Sequence, residues 1–195
     1  MTDAPSPIDA SRAALLVMDY QNGVVEMIGE DAAAPLLDRV SRAIAQVRDR
    51  GGQVGYVRVG FAEGDQLAGR MADRLGDLAA TAFHADAPGT QVHDAVAPQE
   101  GDVVVRKTRV GPFGTTDLDE QLRARGVDTL IMAGIATSGV VLSAVRDGHD
   151  RDYRVVVVSD LCADRDDEVH AFLVERIFPH QGDVITTREL GELLR

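Results

Sequence analysis

Residues 129–141, with the sequence TLIMAGIATSGVV, pass from an apolar run into a turn and then into the start of a helix. Residues 129–133 are almost entirely apolar, as in a strand buried on both faces of a sheet. The first N–H groups of the following helix have no helical partner, so they can bind an anion or an oxyanion. An ordinary turn capped by Thr137 or Ser138 explains the same residues. The sequence alone leaves both interpretations open.

The same pattern of strand and helix repeats along the chain. Short apolar runs predict strands over residues 13–19, 54–59, 102–106, 129–133, 154–159 and 183–185. Apolar residues at helical spacing predict helices over residues 33–50, 117–125, 137–150 and 167–178, with a last helix after a capping box at Thr186 and Glu189. Between residues 60 and 101 the pattern is weak and predicts a long connection, with one helix near residues 70–80. We therefore expect an α/β fold, a three-layer αβα sandwich around a mostly parallel, doubly wound sheet of six strands.

Composition narrows the class of protein. The chain has 195 residues, 45% of them hydrophobic, which predicts one domain over residues 11–195 after a flexible tail over residues 1–10. The net charge of −12 argues against nucleic acid and anionic membranes as partners. No apolar run is long enough to span a bilayer, and the first residues lack the features of a secretion signal. With a single cysteine, Cys162, no internal disulfide can form, so we expect a cytoplasmic protein.

Polar residues follow several of the predicted strands. Asp19 ends the first strand and Lys107 follows the third. Ligands of open parallel sheets bind outside the carboxyl ends of the strands, so both side chains are expected near such a crevice. A turn cap or a structural ion pair would explain Asp19 equally well, and Lys107 alone would be an ordinary surface lysine. Together they suggest an acid–base pair, in which the lysine tunes the aspartate and the aspartate handles a proton.

Three segments in this order resemble the isochorismatase-like hydrolase superfamily, which includes nicotinamidase-type cysteine hydrolases and isochorismatase. They are LLVMDYQ at residues 15–21, VVRKTRVGPF at residues 104–113 and GIATSGVV at residues 134–141. The resemblance covers nearly the whole chain from Ala13 onward, and it implies the sandwich fold already expected from the pattern. It also implies a homo-oligomer, a dimer or larger, acting on a small molecule.

The resemblance assigns roles to particular positions. In the family's cysteine hydrolases, an aspartate beside a lysine activates a cysteine. The resemblance assigns the aspartate to Asp19 and the lysine to Lys107. The position of the cysteine is occupied here by Val140. A cis peptide bond is implied between Ile135 and Ala136, with N–H groups of Ala136 and Val140 in an oxyanion hole. Thr137, Ser138 and Gln21 complete the expected pocket. Cys162 is not at the nucleophile position, and we interpret it as a packing residue.

The resemblance also bears on metals and cofactors. A nicotinamidase-like metal site would need an Asp-x-His cluster after the second strand, and residues 60–107 contain none. The five histidines show no metal-ligand spacing, and no glycine-rich phosphate loop follows a strand. We therefore expect neither a metal nor a cofactor.

Two functions remain open from the sequence. The first is a hydrolase that cleaves a C–N or ether bond of a small molecule without a covalent cysteine, with Asp19 as general acid or base and Lys107 in support. The second is a small-molecule-binding protein that retained the family's pocket after losing the nucleophile. A nucleotide-binding module is a weaker third possibility, because the phosphate loop is missing.

Overall fold

A computed structural model describes residues 5–65, 73 and 76–195. The strands of one sheet are β1 (Ala13–Met18), β2 (Gln53–Val59), β3 (Val103–Lys107), β4 (Thr129–Ile135), β5 (Arg154–Ala163) and β6 (Asp183–Ile185). The α-helices described are α1 (Asn22–Val25), α2 (Glu30–Asp49), α3 (Leu118–Ala124), α4 (Leu142–Asp150), α5 (Asp167–Phe172) and α6 (Thr187–Leu193). Within these ranges, no helix has both the length and the apolar character needed to cross a bilayer.

The six strands are all parallel and lie in the order β3-β2-β1-β4-β5-β6. The chain builds the sheet outward from β1 in one direction and then returns to add β4 on the other side. Strand order therefore reverses between β1 and β4, which opens a crevice at their carboxyl ends. This arrangement confirms the expected α/β fold with its doubly wound, six-stranded sheet.

Alternation along β1 shows how the sheet forms two cores. Every residue of β1 is buried. Leu15 and Val17 belong to the core on the face covered by α2 and α6, whereas Leu16 and Met18 belong to the core covered by α3 and α4. A strand covered on both faces has no need of polar side chains, which is why its sequence is a continuous apolar run.

The strands reach farther at their carboxyl ends than the sequence predicts. β3 includes Lys107, β4 continues to Ile135, and β5 continues to Ala163. The register between β4 and β5 shifts between Met132 and Gly134, and pairing then resumes between Gly134 and Cys162. Cys162 therefore lies within β5, rather than after it as the sequence suggested. Apolar runs mark the buried middle of a strand, but backbone pairing decides its end.

Two predicted helices also differ from their expected bounds. The helix predicted over residues 137–150 begins with a π-helical turn at Thr137–Val141 before α4, and the one predicted over residues 167–178 ends in a π-helical turn at Leu173–Ile177. Of the helix predicted near residues 70–80, residues 70–72, 74 and 75 lie outside the described residues, and Gly76–Leu78 forms a short 3-10 turn.

The residues before β1 are packed against the C-terminus from Ile8 onward. Ile8 and Ala10 are fully buried, the Ile8 N–H donates to the Leu193 carbonyl at 2.9 Å, and the Arg195 N–H donates to the Ile8 carbonyl at 2.9 Å. Residues 8–10 thus differ from the flexible tail expected over residues 1–10. A buried isoleucine paired to the last residues of the chain contributes to the core.

Candidate active site

Asp19 and Lys107 form a buried ion pair at the carboxyl edge of the sheet. Asp19 directly follows β1 with φ at 59°, a left-handed conformation that aspartate tolerates better than most residues. Its Oδ2 lies 2.7 Å from Lys107 Nζ, and the two side chains are 9% and 2% exposed. Lys107 Nζ also donates to the Val110 carbonyl at 2.6 Å. The pair predicted from two strand ends is therefore formed across the intervening strand β2.

The surroundings of Asp19 allow its carboxyl group to exchange a proton near neutral pH. Burial raises the pKa of Asp19 from 3.8 to about 6, against the opposing charge and hydrogen bond of Lys107. Asp19 Oδ1 is buried and has no hydrogen-bond partner within the described residues. The neighbouring Val59 N–H donates to Gln21 Oε1 at 2.8 Å and, from its position beside the carboxylate, also lowers the pKa of Asp19 to a smaller extent than Lys107 does. A carboxylate with one anchored oxygen and one unpartnered oxygen can accept a proton from a ligand or from water.

A small pocket of about 220 Å³ opens beside this pair. Its walls are largely apolar and its polar groups are few. It is lined by Asp19, Val59, Phe61, Phe83, Lys107, Thr108, Arg109, Val110, Ala136, Gly139 and Val140. The volume lies below the roughly 300–1,000 Å³ of pockets for drug-sized ligands, so a small molecule fits best.

The turn after β4 contributes one wall of the pocket. The peptide bond between Ile135 and Ala136 is cis, as the resemblance implied. Ala136, Gly139 and Val140 line the pocket, and Val140 is 2% exposed. Ile135 is buried in the core covered by α2 and does not line the pocket. Ala136 and Val140 thus contact the pocket, whereas Ile135, which the sequence also assigned to it, does not.

Three other residues assigned to the pocket have structural partners instead. Thr137 is fully buried, and its Oγ1 lies 2.8 Å from Nδ1 of His170 on α5. The Ser138 N–H donates to Asp164 Oδ2 at 2.7 Å. These bonds connect the turn to the segment that follows β5. The Thr137 hydroxyl and the Ser138 N–H, which the sequence suggested would bind a ligand, are therefore bonded within the protein.

Gln21 is the third of these residues. It is 1% exposed, and its Nε2 donates to the carbonyls of Val59 and Thr90, each at 2.7 Å. Its Oε1 accepts the Val59 N–H already described. Since both ends of the amide are bonded to backbone, Gln21 joins the end of β2 to the loop containing Thr90.

Several pocket residues were missed by sequence reasoning. Phe61 and Phe83 come from the long connection where the pattern was weak, and the burial of Phe61 depends on its backbone pairing with residues 83–85. Arg109 stands two positions after Lys107 in the loop that follows β3. Its position in a loop at the carboxyl edge was a usable signal, because such loops carry ligand contacts in parallel sheets.

Cys162 packs in the core covered by α3 and α4, as its interpretation as a packing residue required. It is 6% exposed, and burial raises its thiol pKa to about 12. Its Sγ lies 3.8 Å from the Met132 carbonyl oxygen. A thiol held protonated in this way is a poor nucleophile. In the part of the chain that the structure describes, no group of three or more His, Cys, Asp and Glu side chains is arranged to hold a metal ion.

The fold and the site define a class: an α/β protein with a parallel sheet and a small pocket at its carboxyl edge, built around a buried acid–base pair. Residues 13–189 match the isochorismatase domain model. The chain therefore belongs to the isochorismatase family.

Individual relatives support this assignment. The isochorismatase family protein YwoC of Bacillus subtilis is 30% identical over 188 residues, covering 96% of this chain and 97% of that protein. The ureidoacrylate amidohydrolase RutB of Methylorubrum extorquens is 34% identical over 179 residues, covering 80% of this chain and 72% of that protein. A cysteine hydrolase from Pseudomonas syringae has a solved structure with a TM-score of 0.87 and 30% identity, covering 98% of this chain and 97% of that one. This chain thus has the cysteine hydrolase fold.

Proposed function

We propose that the protein hydrolyses a small amide or ureido compound without a covalent enzyme intermediate, using Asp19 as general base. One observation carries the proposal: Asp19 Oδ1 is buried beside Lys107 in a small pocket and has no hydrogen-bond partner among the residues that the structure describes. The similarity to an amidohydrolase supports the choice of a C–N bond. An ether bond, with Asp19 as general acid, is the corresponding reaction at a pH below the Asp19 pKa.

Water is the nucleophile in this scheme. The Asp19 carboxylate removes a proton from water while the water oxygen bonds to the carbonyl carbon of the substrate. The tetrahedral adduct then collapses, the C–N bond breaks, and the proton held by Asp19 passes to the departing nitrogen. With a pKa of about 6, Asp19 is mostly ionised at neutral pH, which suits the base. Lys107 favours that ionised form by its charge and hydrogen bond.

Val140 is the reason for excluding a covalent step from the proposal. It lines the pocket where the family resemblance puts the nucleophilic cysteine, and its side chain has no atom that can attack a carbonyl. The described lining residues include one hydroxyl, that of Thr108, and no thiol. The nucleophile that Asp19 activates is therefore water.

The alternative is a binding protein that uses the same pocket without turnover, and the replacement of a nucleophile by Val140 favours it. A homo-oligomeric state, a cytoplasmic location and a single domain over residues 11–195 remain predictions from the sequence.

The deciding experiment is a hydrolysis screen of small amides, ureido acids and vinyl ethers with three proteins: the native chain, Asp19→Asn and the matched control Asp128→Asn. Asp128 pairs with Arg12 at the opposite end of the sheet. We expect Asp19→Asn to lose at least about 100-fold in kcat/KM and Asp128→Asn to retain it. The native activity should rise with pH around a midpoint near 6.

Circular dichroism establishes that each variant is folded. Turnover that survives in folded Asp19→Asn contradicts the assigned base. No turnover of any substrate by the native chain, together with saturable binding, establishes the alternative.

A further inference from the structure

The turn after β4 is bonded to helix α5, which follows the neighbouring strand β5. Backbone pairing between the two strands ends at Ile135 and Ala163, so both segments leave the sheet side by side. Beyond that point, Thr137 Oγ1 lies 2.8 Å from His170 Nδ1. A hydroxyl and a neutral imidazole each have a donor and an acceptor, so the pair can form a hydrogen bond in either direction. This bond continues between side chains the connection that the backbone makes along the strands.

A second bond reaches the same turn but lies in a different environment. The Ser138 N–H donates to Asp164 Oδ2 at 2.7 Å in an exposed position, where water can replace the carboxylate. Thr137 is fully buried, so water is not a ready substitute for the partner of its hydroxyl. A buried hydroxyl that loses its partner is left unsatisfied, which is unfavourable. The bond to His170 is therefore the harder of the two to replace.

The imidazole of His170 is presented by a helix whose first turn is capped. Asp166 is the N-cap of α5, and its Oδ1 accepts from the N–H groups of Glu168 and Val169, at 2.9 and 3.2 Å. The His170 N–H donates to the Asp166 carbonyl at 3.0 Å. Because the cap fixes the first turn of the helix, the backbone of His170 is held independently of its bond to Thr137.

The turn also forms part of the pocket. Ala136, Gly139 and Val140 are among the described lining residues, and we refer to these three as the turn wall; Thr137 and His170 are not among the lining residues. Since Thr137 lies between Ala136 and Val140 in the chain, a displacement of its backbone moves the turn wall. His170 can therefore act on the pocket through Thr137, without touching a ligand.

We propose that His170 is a positioning residue, which fixes the turn wall through its bond to Thr137. Its effect on catalysis rests on the proposed function, whereas its effect on the geometry of the turn wall needs no turnover. Loss of the bond moves the turn wall relative to Asp19, and a misplacement of about 1 Å near a reacting centre costs up to roughly 100-fold in rate.

The test is methyl NMR of chains that carry carbon-13-labelled valine, in which the Val140 signals report the position of the turn wall. His170→Leu removes the hydrogen bond and keeps a bulky side chain. His170→Asn places an amide group where Nδ1 of the imidazole stood, so it restores a partner for the Thr137 hydroxyl. His149→Leu is the matched control, because His149 lies near the far end of α4 and its Nδ1 is 3.1 Å from the Gln181 carbonyl oxygen.

We expect His170→Leu to shift or broaden the Val140 methyl signals, whereas His170→Asn and His149→Leu leave them at their native positions. The signals of Val17 in β1 are the reference and should stay unchanged. Thr137→Val, which replaces the hydroxyl by a methyl group, should reproduce the effect of His170→Leu. The double variant should add nothing further, because both changes remove the same bond. Circular dichroism establishes that each variant is folded, and Thr137→Val carries the test if His170→Leu does not fold.

Three results would overturn the inference. Val140 signals that keep their native positions in folded His170→Leu or Thr137→Val would show that the bond does not fix the turn wall. Equal displacements in His170→Leu and His170→Asn would show an effect of the lost imidazole ring rather than of the bond. Displacements of the Val17 signals as large as those of Val140 would show a merely structural role.

Failure of the proposed function has a different signature. If the native chain hydrolyses an amide, His170→Leu should lower kcat by about 10- to 100-fold with a smaller change in KM, and His170→Asn should recover most of that loss. If the Val140 signals respond as expected but the native chain hydrolyses no substrate, the role of His170 stands and the proposed function is wrong. If the native chain hydrolyses an amide but the Val140 signals do not respond to His170→Leu, the hydrolase stands and the role of His170 is wrong.

Discussion

Two ion pairs at opposite ends of the sheet have the same chemistry and different surroundings. At the carboxyl edge, Asp19 and Lys107 are 9% and 2% exposed. At the amino edge, Arg12 donates from Nε to Asp128 Oδ2 at 2.7 Å, and these side chains are 56% and 42% exposed. We refer to them as the inner pair and the outer pair.

The two pairs differ in burial, and this difference shifts the pKa of the aspartate in opposite directions. In the inner pair burial dominates and raises the pKa of Asp19 to about 6. In the outer pair slight burial acts in the same direction, but hydrogen bonds from Arg12 and Thr129 outweigh it, so the pKa of Asp128 is lowered. An exposed ion pair contributes little to stability. A buried pair beside a pocket has a carboxyl group whose raised pKa suits it to exchange a proton with a ligand or with water.

The largest expected effect comes from breaking the inner pair. Lys107→Met leaves Asp19 buried without a cation, so we expect a loss of about 3–5 kcal/mol in the free energy of unfolding. The pKa of Asp19 should rise further, because Lys107 lowers it in the native chain. Urea denaturation at pH 7.5 measures the loss. A loss of stability smaller than that caused by Arg12→Met in the outer pair would contradict the conclusion that burial makes the inner pair more important for stability.

The pH dependence of stability distinguishes the pairs by sign. Because the folded pKa of Asp19 lies above its ordinary value of 3.8, the folded state binds the extra proton between about pH 4 and pH 6. The contribution of Asp19 to stability therefore falls as pH rises through that window, by on the order of 3 kcal/mol. Asp128, with a lowered pKa, contributes stability that is lost as pH falls.

The measurement subtracts the unfolding free energy of Asp19→Asn from that of the native chain between pH 4 and pH 7.5. The difference should decline with rising pH, and the corresponding difference for Asp128→Asn should increase. A flat profile for Asp19 would show that its pKa is not raised.

A thiol placed beside the inner pair provides a chemical probe. In Val140→Cys, the new thiol lies in the pocket with Asp19, while buried Cys162 serves as an internal control. We expect the new thiol to react with iodoacetamide more than about 10-fold faster than Cys162, because it is accessible and has a base in the same pocket. Mass spectrometry of the native and variant chains identifies the modified residue. No acceleration would mean that position 140 does not face the base.

The smallest effect is expected at the outer pair. Arg12→Met removes a contact between two largely exposed side chains, which typically changes stability by about 0–1 kcal/mol. Hydrolytic activity should be unchanged, since this edge of the sheet is remote from the pocket. A loss of activity would show that the two ends of the sheet are coupled.

The elements of the fold could be predicted because their signal is local. β1 and the first residues of β4 are buried on both faces, so their sequences are continuous apolar runs. The ends of β5 and the π-helical turn at Thr137–Val141 could not be predicted, since they depend on the register shift beside Gly134 and on bonds between distant segments.

The site could be predicted only where polar residues interrupt such runs. Asp19 and Lys107 stand at strand ends, so topology alone brings them to one edge. The same logic also placed Gln21 and Thr137 in the pocket, whereas the structure bonds Gln21 to backbone carbonyls and Thr137 to His170, because the partner of a buried polar group depends on its neighbours in space. Phe83 was missed because the connection that carries it has no periodic pattern.

The amino-acid sequence by itself determined the order of strands and helices and the family, and its resemblance to that family predicts that Val140 stands where a nucleophile is expected. Those properties reside in side-chain chemistry and spacing along the chain. Tertiary structure alone decided that Lys107 is buried against Asp19 and that one oxygen of Asp19 has no partner within the described residues. Burial and pairing are relations between segments far apart in the chain, and they decide which of several polar residues can do chemistry.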